Sequence, residues 1–462
     1  MIFLFNDMFG NYLYDSVVND TIEVSDTFYH SAKNGSLDLS DPNIRKEYQK
    51  LESLGYYPEQ RNTLTFTEFK FLEPLLGRLL SKMTLQVTQA CNFRCKYCAY
   101  SENDGLERTH SSKFMNWSTA KKAIDLFHDH SIDSPIVTIG FYGGEPLLNY
   151  PLVKQCILYA EEIFSGKQLL FVMTTNATLL TDEMLAFFDG REVALTISLD
   201  GPQQLNDRNR VFANGSGSTF DAVKAVIQKI ATSYKHVFQS LSINMVLDPS
   251  VPYDQYQKIY SDIPELYDIS VRASTVNDDN LVHKHTFCQD YVCEVEYAKF
   301  MYRLIDRTSD EHLRSINKEN IMFGGFEQRK SQISQTLGPH NHAMSPSGPC
   351  VPAYDKLFVD VAGHFLPCEK VSEIVSDLQI GDVDSGIDKR AVERLANVAS
   401  ITREECAKCW CFNMCSSCVR YCVDSKGLSK KARLASCKAS RNNAMEMLYQ
   451  YVSMKRNGEI GE

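Results

Sequence analysis

No stretch of this sequence reaches the roughly 18 apolar residues that a membrane-spanning helix needs. Positive charge is scarce as well: 48 Lys and Arg face 58 Asp and Glu, a formal net charge of −10. Phosphate binding rests on a surplus of cations, so a chain this acidic is a poor wrapper of nucleic acid. The opening MIFLFNDMFG is apolar but lacks a basic flank and a small-residue cleavage site. It reads as a strand, and the expectation is a cytoplasmic protein with no membrane and no nucleic-acid partner. Internal repeats and low-complexity tracts are missing too.

What the chain has in excess is cysteine. It holds 15 in 462 residues, concentrated at 91–98 and 350–437. Structural disulfides do not persist easily in the cytosol, and an odd count does not pair completely, so clustered cysteines there point to metal. The length and a 44% hydrophobic content imply about three domains with ordinary cores.

Residues 1–81 read as a small α+β unit. Strands are expected at Ile2–Phe5, Tyr12–Val18 and Thr21–Val24, a cap at Ser25-Asp26, and a helix over Pro42–Leu54 with Tyr48, Leu51 and Leu54 on one face. From 82 to 275, strand-like runs at Thr84–Thr88, Ile136–Tyr142, Leu169–Thr174, Val193–Leu199, Leu241–Val246 and Ile269–Arg272 alternate with helical stretches near 118–130, 151–164, 181–188, 219–232 and 253–260. Such alternation implies a parallel sheet with right-handed crossovers, here a partial (β/α)6 TIM-like barrel with its chemistry at the C-terminal strand ends. Residues 276–345 form a bridging region with a helix near 293–307; His283, His285, His340 and His342 there carry no assigned role. Residues 346–462 are rich in cysteine and loops, with few apolar runs, so bound metal is expected to stand in for a large core.

Just after the first of these strands comes Cys91-Asn-Phe-Arg-Cys95-Lys-Tyr-Cys98. Three thiolates on a tight loop can hold three corners of a [4Fe–4S] cube and leave one iron open to a small molecule. Zinc is the competing reading, but a structural zinc site wants a fourth ligand and none follows closely. After the second strand stands Phe141-Tyr-Gly-Gly-Glu-Pro146, after the third Thr174-Thr-Asn-Ala-Thr-Leu-Leu180, and the fourth closes on Ser198-Leu-Asp-Gly201 with Arg208 and Arg210 shortly beyond.

These motifs, in this order, resemble the radical S-adenosylmethionine (SAM) superfamily. The resemblance implies that SAM chelates the open iron and that Tyr97 lies near its adenine. Gly143, Gly144 and Glu145 would serve its ammonium, and Ser198 and Arg210 its carboxylate. Asn176 belongs to the family's Asn-Gly turn, with Ala177 where glycine is usual. Arg208 is the competitor to Arg210.

The second cysteine field runs Cys350-x12-Gly363-x4-Cys368, Cys406-x2-Cys409-x5-Cys415, then Cys418, Cys422 and Cys437. It resembles the SPASM extension, which implies two auxiliary [4Fe–4S] clusters beside the SAM-binding one. By analogy one auxiliary cluster takes Cys350, Cys368 and one or both of Cys418 and Cys422, with Val419 at the family's usual position. The other takes Cys406, Cys409, Cys415 and Cys437. Cys411 is a spare, Cys156 a core residue, and Cys288 and Cys293 free or buried thiols. A zinc ribbon is the plainer alternative.

The first 81 residues resemble the winged-helix-like leader-recognition domain of ribosomal-peptide maturases, where a leader adds beside the third strand, here Thr21–Val24, and packs on the Pro42–Leu54 helix. Together with Trp410 after Cys409, this resembles maturases of cysteine-rich precursor peptides. The implied activity is intramolecular thioether formation by way of a 5′-deoxyadenosyl radical. The implied partners are a cysteine-rich precursor peptide with its leader and an electron donor such as flavodoxin or ferredoxin. A carbon–carbon cross-linking maturase and an anaerobic sulfatase-maturing enzyme are the nearest rivals; a non-catalytic zinc-binding protein is the rival from another class. No catalytic acid or base is named.

Overall fold

The computed structural model describes residues 1–35, 37–57, 62–64, 66, 68–101, 103–277, 281, 284–305, 321–338, 346, 350–458 and 460. His283, His340 and His342 lie outside them.

The N-terminal unit is an antiparallel meander of β1 (Ile2–Asn6), β2 (Asn11–Asp15) and β3 (Asp20–Val24), followed by α1 (Asp26–Lys33) and α2 (Pro42–Ser53). Ser25 caps α1 by accepting from Phe28 N, and Asp41 caps α2 ahead of Pro42 at its first position. β2 stops at Asp15, short of the expected Val18, because the Asp15 carboxylate accepts from Val17 N and Asn19 adopts a left-handed φ of 61°. On α2 the inward residues are Ile44 and Leu51, whereas Leu54 is exposed.

The central sheet has eight strands. Six are parallel and consecutive: β4 (Lys82–Thr88), β5 (Ile136–Gly143), β6 (Gln168–Thr175), β7 (Val193–Ser198), β8 (Ser242–Leu247) and β9 (Ser270–Thr275). Helix α3 (Phe69–Arg78) leads into β4, and α4 (Trp117–Asp129), α5 (Tyr150–Ile163), α6 (Asp182–Asp189), α7 (Gln203–Asn209) and α8 (Thr219–Ser233) supply crossovers. This is the expected partial barrel. The helix expected at 253–260 is instead two short turns, Asp254–Gln257 and Ile259–Asp262, between Pro252 and Pro264.

The other two strands come from the cysteine-rich region. β10 (Leu357–Val359) pairs parallel to β4, and β11 (Phe365–Leu366) returns antiparallel to it. Leu357, Phe358, Val359 and Phe365 are fully buried in the same core as Leu85 and Val87. The C-terminal region therefore does build an apolar core, contrary to the expectation from its few apolar runs: three-residue strands bury all their side chains when they extend an existing sheet. A second core joins Phe5, Tyr12 and Tyr14 of the meander to Cys411, Met414, Leu448 and Tyr451, and Trp410 stacks on Phe3 at 3.8 Å. Among the described residues no helix is long and apolar enough to cross a membrane.

Candidate active site

β4 loses regular pairing to β5 between Gln86 and Thr88, and the loop Ala90–Cys98 begins there. Two other segments hold that loop. Arg94 N donates to Val211 O at 2.8 Å, Lys96 N to Asn209 O at 2.9 Å and Ala213 N to Asn92 O at 2.8 Å, stitching the cysteine loop to 209–213. On its other side, Gly144 N donates to Thr88 O and Glu145 N to Ala90 O. A Cβ at Gly143 would lie 2.1 Å from Thr88 O, and one at Gly144 would lie 2.2 Å from Ala90 O. Both glycines are needed for this backbone-on-backbone approach.

One cavity of about 220 Å³ collects Cys91, Cys95, Cys98, Tyr97, Gly143, Gly144, Glu145, Asn176, Ser198 and Arg210. These are all the residues that the sequence assigned to this site. Arg210 is buried; Arg208 is half-exposed and turned to Ser250 and Asp248, so the cavity takes Arg210 of the two. Arg210 Nη1 donates to Tyr97 Oη at 2.8 Å and lies 3.8 Å from the Asp200 carboxylate, which also accepts from Tyr97 Oη and Val246 N. Burial pushes the Tyr97 phenol and the Asp200 carboxyl up, and Arg210 works against both shifts. Asp200 was missed as a site residue: one aspartate in a strand-end turn carries no spacing signal.

Glu145 also braces the site. Its carboxylate accepts from Thr175 Oγ1 at 2.7 Å, Asn176 N at 2.7 Å and Leu147 N at 3.1 Å, so it ties the end of β5 to the turn after β6. Asn176 Nδ2 then donates to Asn92 Oδ1, carrying the brace to the cysteine loop. Ala177 takes a left-handed φ of 64°, which is why glycine suits that turn. Phe93, Tyr100, His110, Tyr142, Thr174, Thr175, Asn244 and Val246 complete the wall and were not assigned to the site from the sequence; they come from five separated segments.

The donor set fits an iron–sulfur cluster. Burial pushes the Cys91 thiol up to about 12 and Cys95 up to about 11, so without metal both would stay protonated, and a coordinating cation removes that proton. Among the described residues no group of three or more His, Cys, Asp or Glu side chains is arranged to hold a metal ion. A four-iron cube spreads its cysteines over separate corners.

The second field divides in two. Cys418 lies within electrostatic reach of both Cys350 and Cys368. Cys422 is fully buried; its Sγ contacts Cys418 O at 3.3 Å and accepts from Arg433 at 3.3 Å. Cys406, Cys409, Cys415 and Cys437 line a separate cavity with the spare Cys411, whose Sγ points to Ser440 O. Cys156 is core, as expected.

Residues 85–263 match the model of the radical SAM superfamily, and this chain carries a radical SAM domain. Its cofactors are SAM and a [4Fe–4S] cluster. The chain is 33% identical over 174 residues to an uncharacterized protein of Methanocaldococcus jannaschii, matching 38% of this chain and 56% of that one. It is 31% identical over 146 residues to a serine-type anaerobic sulfatase-maturating enzyme of Bacteroides thetaiotaomicron, 31% of this chain and 35% of that one. A cysteine-type counterpart of Clostridium perfringens is 22% identical over 75% of this chain and 90% of its own. The chain thus spans about half or less of the length of the first two. The fold resembles anSMEcpe, solved with AdoMet and the Kp18Cys peptide (TM-score 0.59, 19% identity, 82% of this chain and 99% of that one). It also resembles Streptococcus suis SuiB (TM-score 0.51, 13% identity, 93% and 98%).

Proposed function

We propose that this protein is a cytoplasmic radical SAM peptide maturase that joins a cysteine sulfur to a carbon of the same precursor peptide. The observation that carries the reading is the pairing of β10 with β4, which joins the hairpin leading to Cys368 to the strand that opens the SAM cavity. Cys368 follows β11 by two residues, and beside it Glu369 O accepts from Tyr100, a residue of the cavity wall. Cys350, Cys368 and Cys418 are the natural ligands of the near auxiliary cluster, while Cys422 is committed to Arg433 and the Cys418 carbonyl. A cluster held by these three cysteines would leave one corner open, where it would supply a binding site for a substrate thiolate. The far auxiliary cluster takes Cys406, Cys409, Cys415 and Cys437.

With both cofactors bound, they supply one-electron cleavage of the SAM C5′–S bond and a 5′-deoxyadenosyl radical that takes hydrogen from an unactivated carbon. The protein's part is positioning. Arg210 offers a guanidinium fork to the SAM carboxylate, with Asp200 and Tyr97 fixing its direction. The Gly143–Glu145 turn offers backbone groups to the ammonium, and Phe93, Tyr100 and Tyr142 exclude water. A peptide substrate is supported by anSMEcpe, which was solved with one. The N-terminal unit suits a leader strand, though Lys455 already donates to Thr21 O and Asp20 is held by Tyr451, so the available edge is the Ile22–Val24 half of β3. An external electron donor such as flavodoxin or ferredoxin completes the partners.

The test is a mass spectrum of a cysteine-rich peptide encoded beside the gene, after incubation with anaerobically reconstituted protein, SAM and a reductant. Loss of two hydrogens per modified cysteine, with those thiols closed to alkylation, is the expected result. The same loss with thiols open to alkylation would replace thioether by carbon–carbon chemistry. Conversion of one cysteine or serine to an aldehyde would favour the sulfatase-maturing reading, which the match to 90% of the C. perfringens enzyme keeps as the second choice.

A further inference from the structure

Arg433 is the largest side chain sealed from solvent among the described residues. Its guanidinium donates to Thr402 Oγ1 at 2.9 Å, Ser417 Oγ at 3.4 Å, Cys422 Sγ at 3.3 Å and the Pro346 carbonyl. Those partners take four of its five N–H groups but do not offset its charge. Among the described residues no carboxylate forms an ion pair with it, and a buried cation without a counter-ion is strongly disfavoured.

The acidic groups that act on it most strongly are Cys422, Cys415 and Cys406, whereas Glu405, on the same cavity, pairs with Lys430. Its own carbonyl lies 3.8 Å from Cys437 Sγ. Arg433 lines the same cavity as Cys406, Cys409, Cys415 and Cys437, and so does Arg441, which hydrogen-bonds Cys409. Four thiolates on an iron–sulfide core carry surplus negative charge, and the chain brings two guanidinium groups to the cavity lined by these four cysteines.

We propose that Arg433 is the built-in counter-cation of the far auxiliary cluster and sets its reduction potential, with the exposed Arg441 as a weaker outer partner. Reduction adds an electron to an already negative centre, and a cation fixed in a dry site stabilises that state most. The far cluster is therefore held at a higher potential than its four cysteines alone would give, which suits a centre that accepts electrons. Solvent screens Arg441, so its share is smaller. The inference rests on assigning the four cysteines of that cavity to a cluster.

The experiment is an EPR-monitored redox titration of the full-length protein, reconstituted anaerobically. A background with Cys91, Cys95 and Cys98 all replaced by Ala leaves only the auxiliary centres to titrate. Arg433→Met, which keeps length but not charge, is expected to lower one midpoint and leave the other in place. Arg433→Lys should retain most of the parent value, and Arg441→Met should shift the same midpoint downward by less. Unmoved midpoints in Arg433→Met with iron content intact would overturn the proposal, as would equal shifts in the Met and Lys variants, which would mean packing and not charge. Should Arg433→Met lose its iron, the proposal falls if Arg441→Met titrates like the parent. Failure of the underlying assignment looks different: Cys406→Ala and Cys409→Ala would then remove no iron at all.

Discussion

Arg210 and Arg208 stand two residues apart, and the sequence could not choose between them. Burial and hydrogen bonding do, because one closes on Tyr97 and Asp200 inside the cavity and the other reaches outward. Replacing Arg210 by Ala strands a buried Asp200 and removes the fork for the SAM carboxylate. The expected loss in 5′-deoxyadenosine formation is about 3 kcal/mol, roughly a hundredfold; Arg208→Ala should stay within about threefold. Ala177 carries a testable strain. Its side chain is fully buried at φ 64°, where an L-residue costs about 1–2 kcal/mol. Glycine returns part of that through the freer unfolded chain, so Ala177→Gly should stabilise by about 0.5–1 kcal/mol in denaturant unfolding. His110 gives a pH signature. Burial, with Arg94 and Arg108 nearby, holds its imidazole down from 6.5 to about 4. The unfolded chain takes up a proton near pH 6.5 that the folded chain refuses until about 4, so the stability is whole above 6.5 and drains as the pH falls. Allowing for its partial exposure, His110→Gln should remove on the order of 1 kcal/mol of that loss, seen as a flatter melting temperature between pH 7.5 and 5.5.

The six parallel strands were legible because each is an apolar run of ordinary length and the first four crossovers carry periodic helices, and the four motifs fell at the ends of the first four strands. The hairpin of β10 and β11 was not, since strands of three and two residues leave no periodicity to read. Its docking is reinforced by a buried pair joining the two sulfur regions. Arg108 Nε donates to Glu373 at 2.7 Å, both side chains are almost inaccessible, and Gln86 and Gln89 donate to the same carboxylate. Arg108 also lies 3.7 Å over the Tyr100 ring. Arg108→Met leaves Glu373 charged and buried and should cost about 3–5 kcal/mol. The double variant Arg108→Met/Glu373→Gln should cost clearly less, and a double-mutant cycle in urea unfolding reads the difference. Additive costs would mean the pair does not couple the core to the extension. The braces within the cysteine loop were equally invisible in sequence, because backbone bonds from Arg94 and Lys96 to Val211 and Asn209 depend on a fold that returns the chain more than a hundred residues later.

At the scale of the whole molecule, the three regions are one assembly around two sulfur fields. The meander packs on the last helix, Cys437–Arg456, and the extension completes the sheet of the core. Cysteine spacing alone announced the two fields; only the fold joins their regions, through β10 on β4 and Arg108 on Glu373. The most direct measurement of the central claim is 5′-deoxyadenosine, quantified by mass spectrometry after incubating the reconstituted protein with SAM and a reductant, alongside Cys95→Ala. The account predicts a brown protein of roughly twelve irons that releases 5′-deoxyadenosine, and a variant that keeps its auxiliary iron but releases none. A fully iron-loaded protein that forms no 5′-deoxyadenosine, or a Cys95→Ala variant that forms it undiminished, would contradict it.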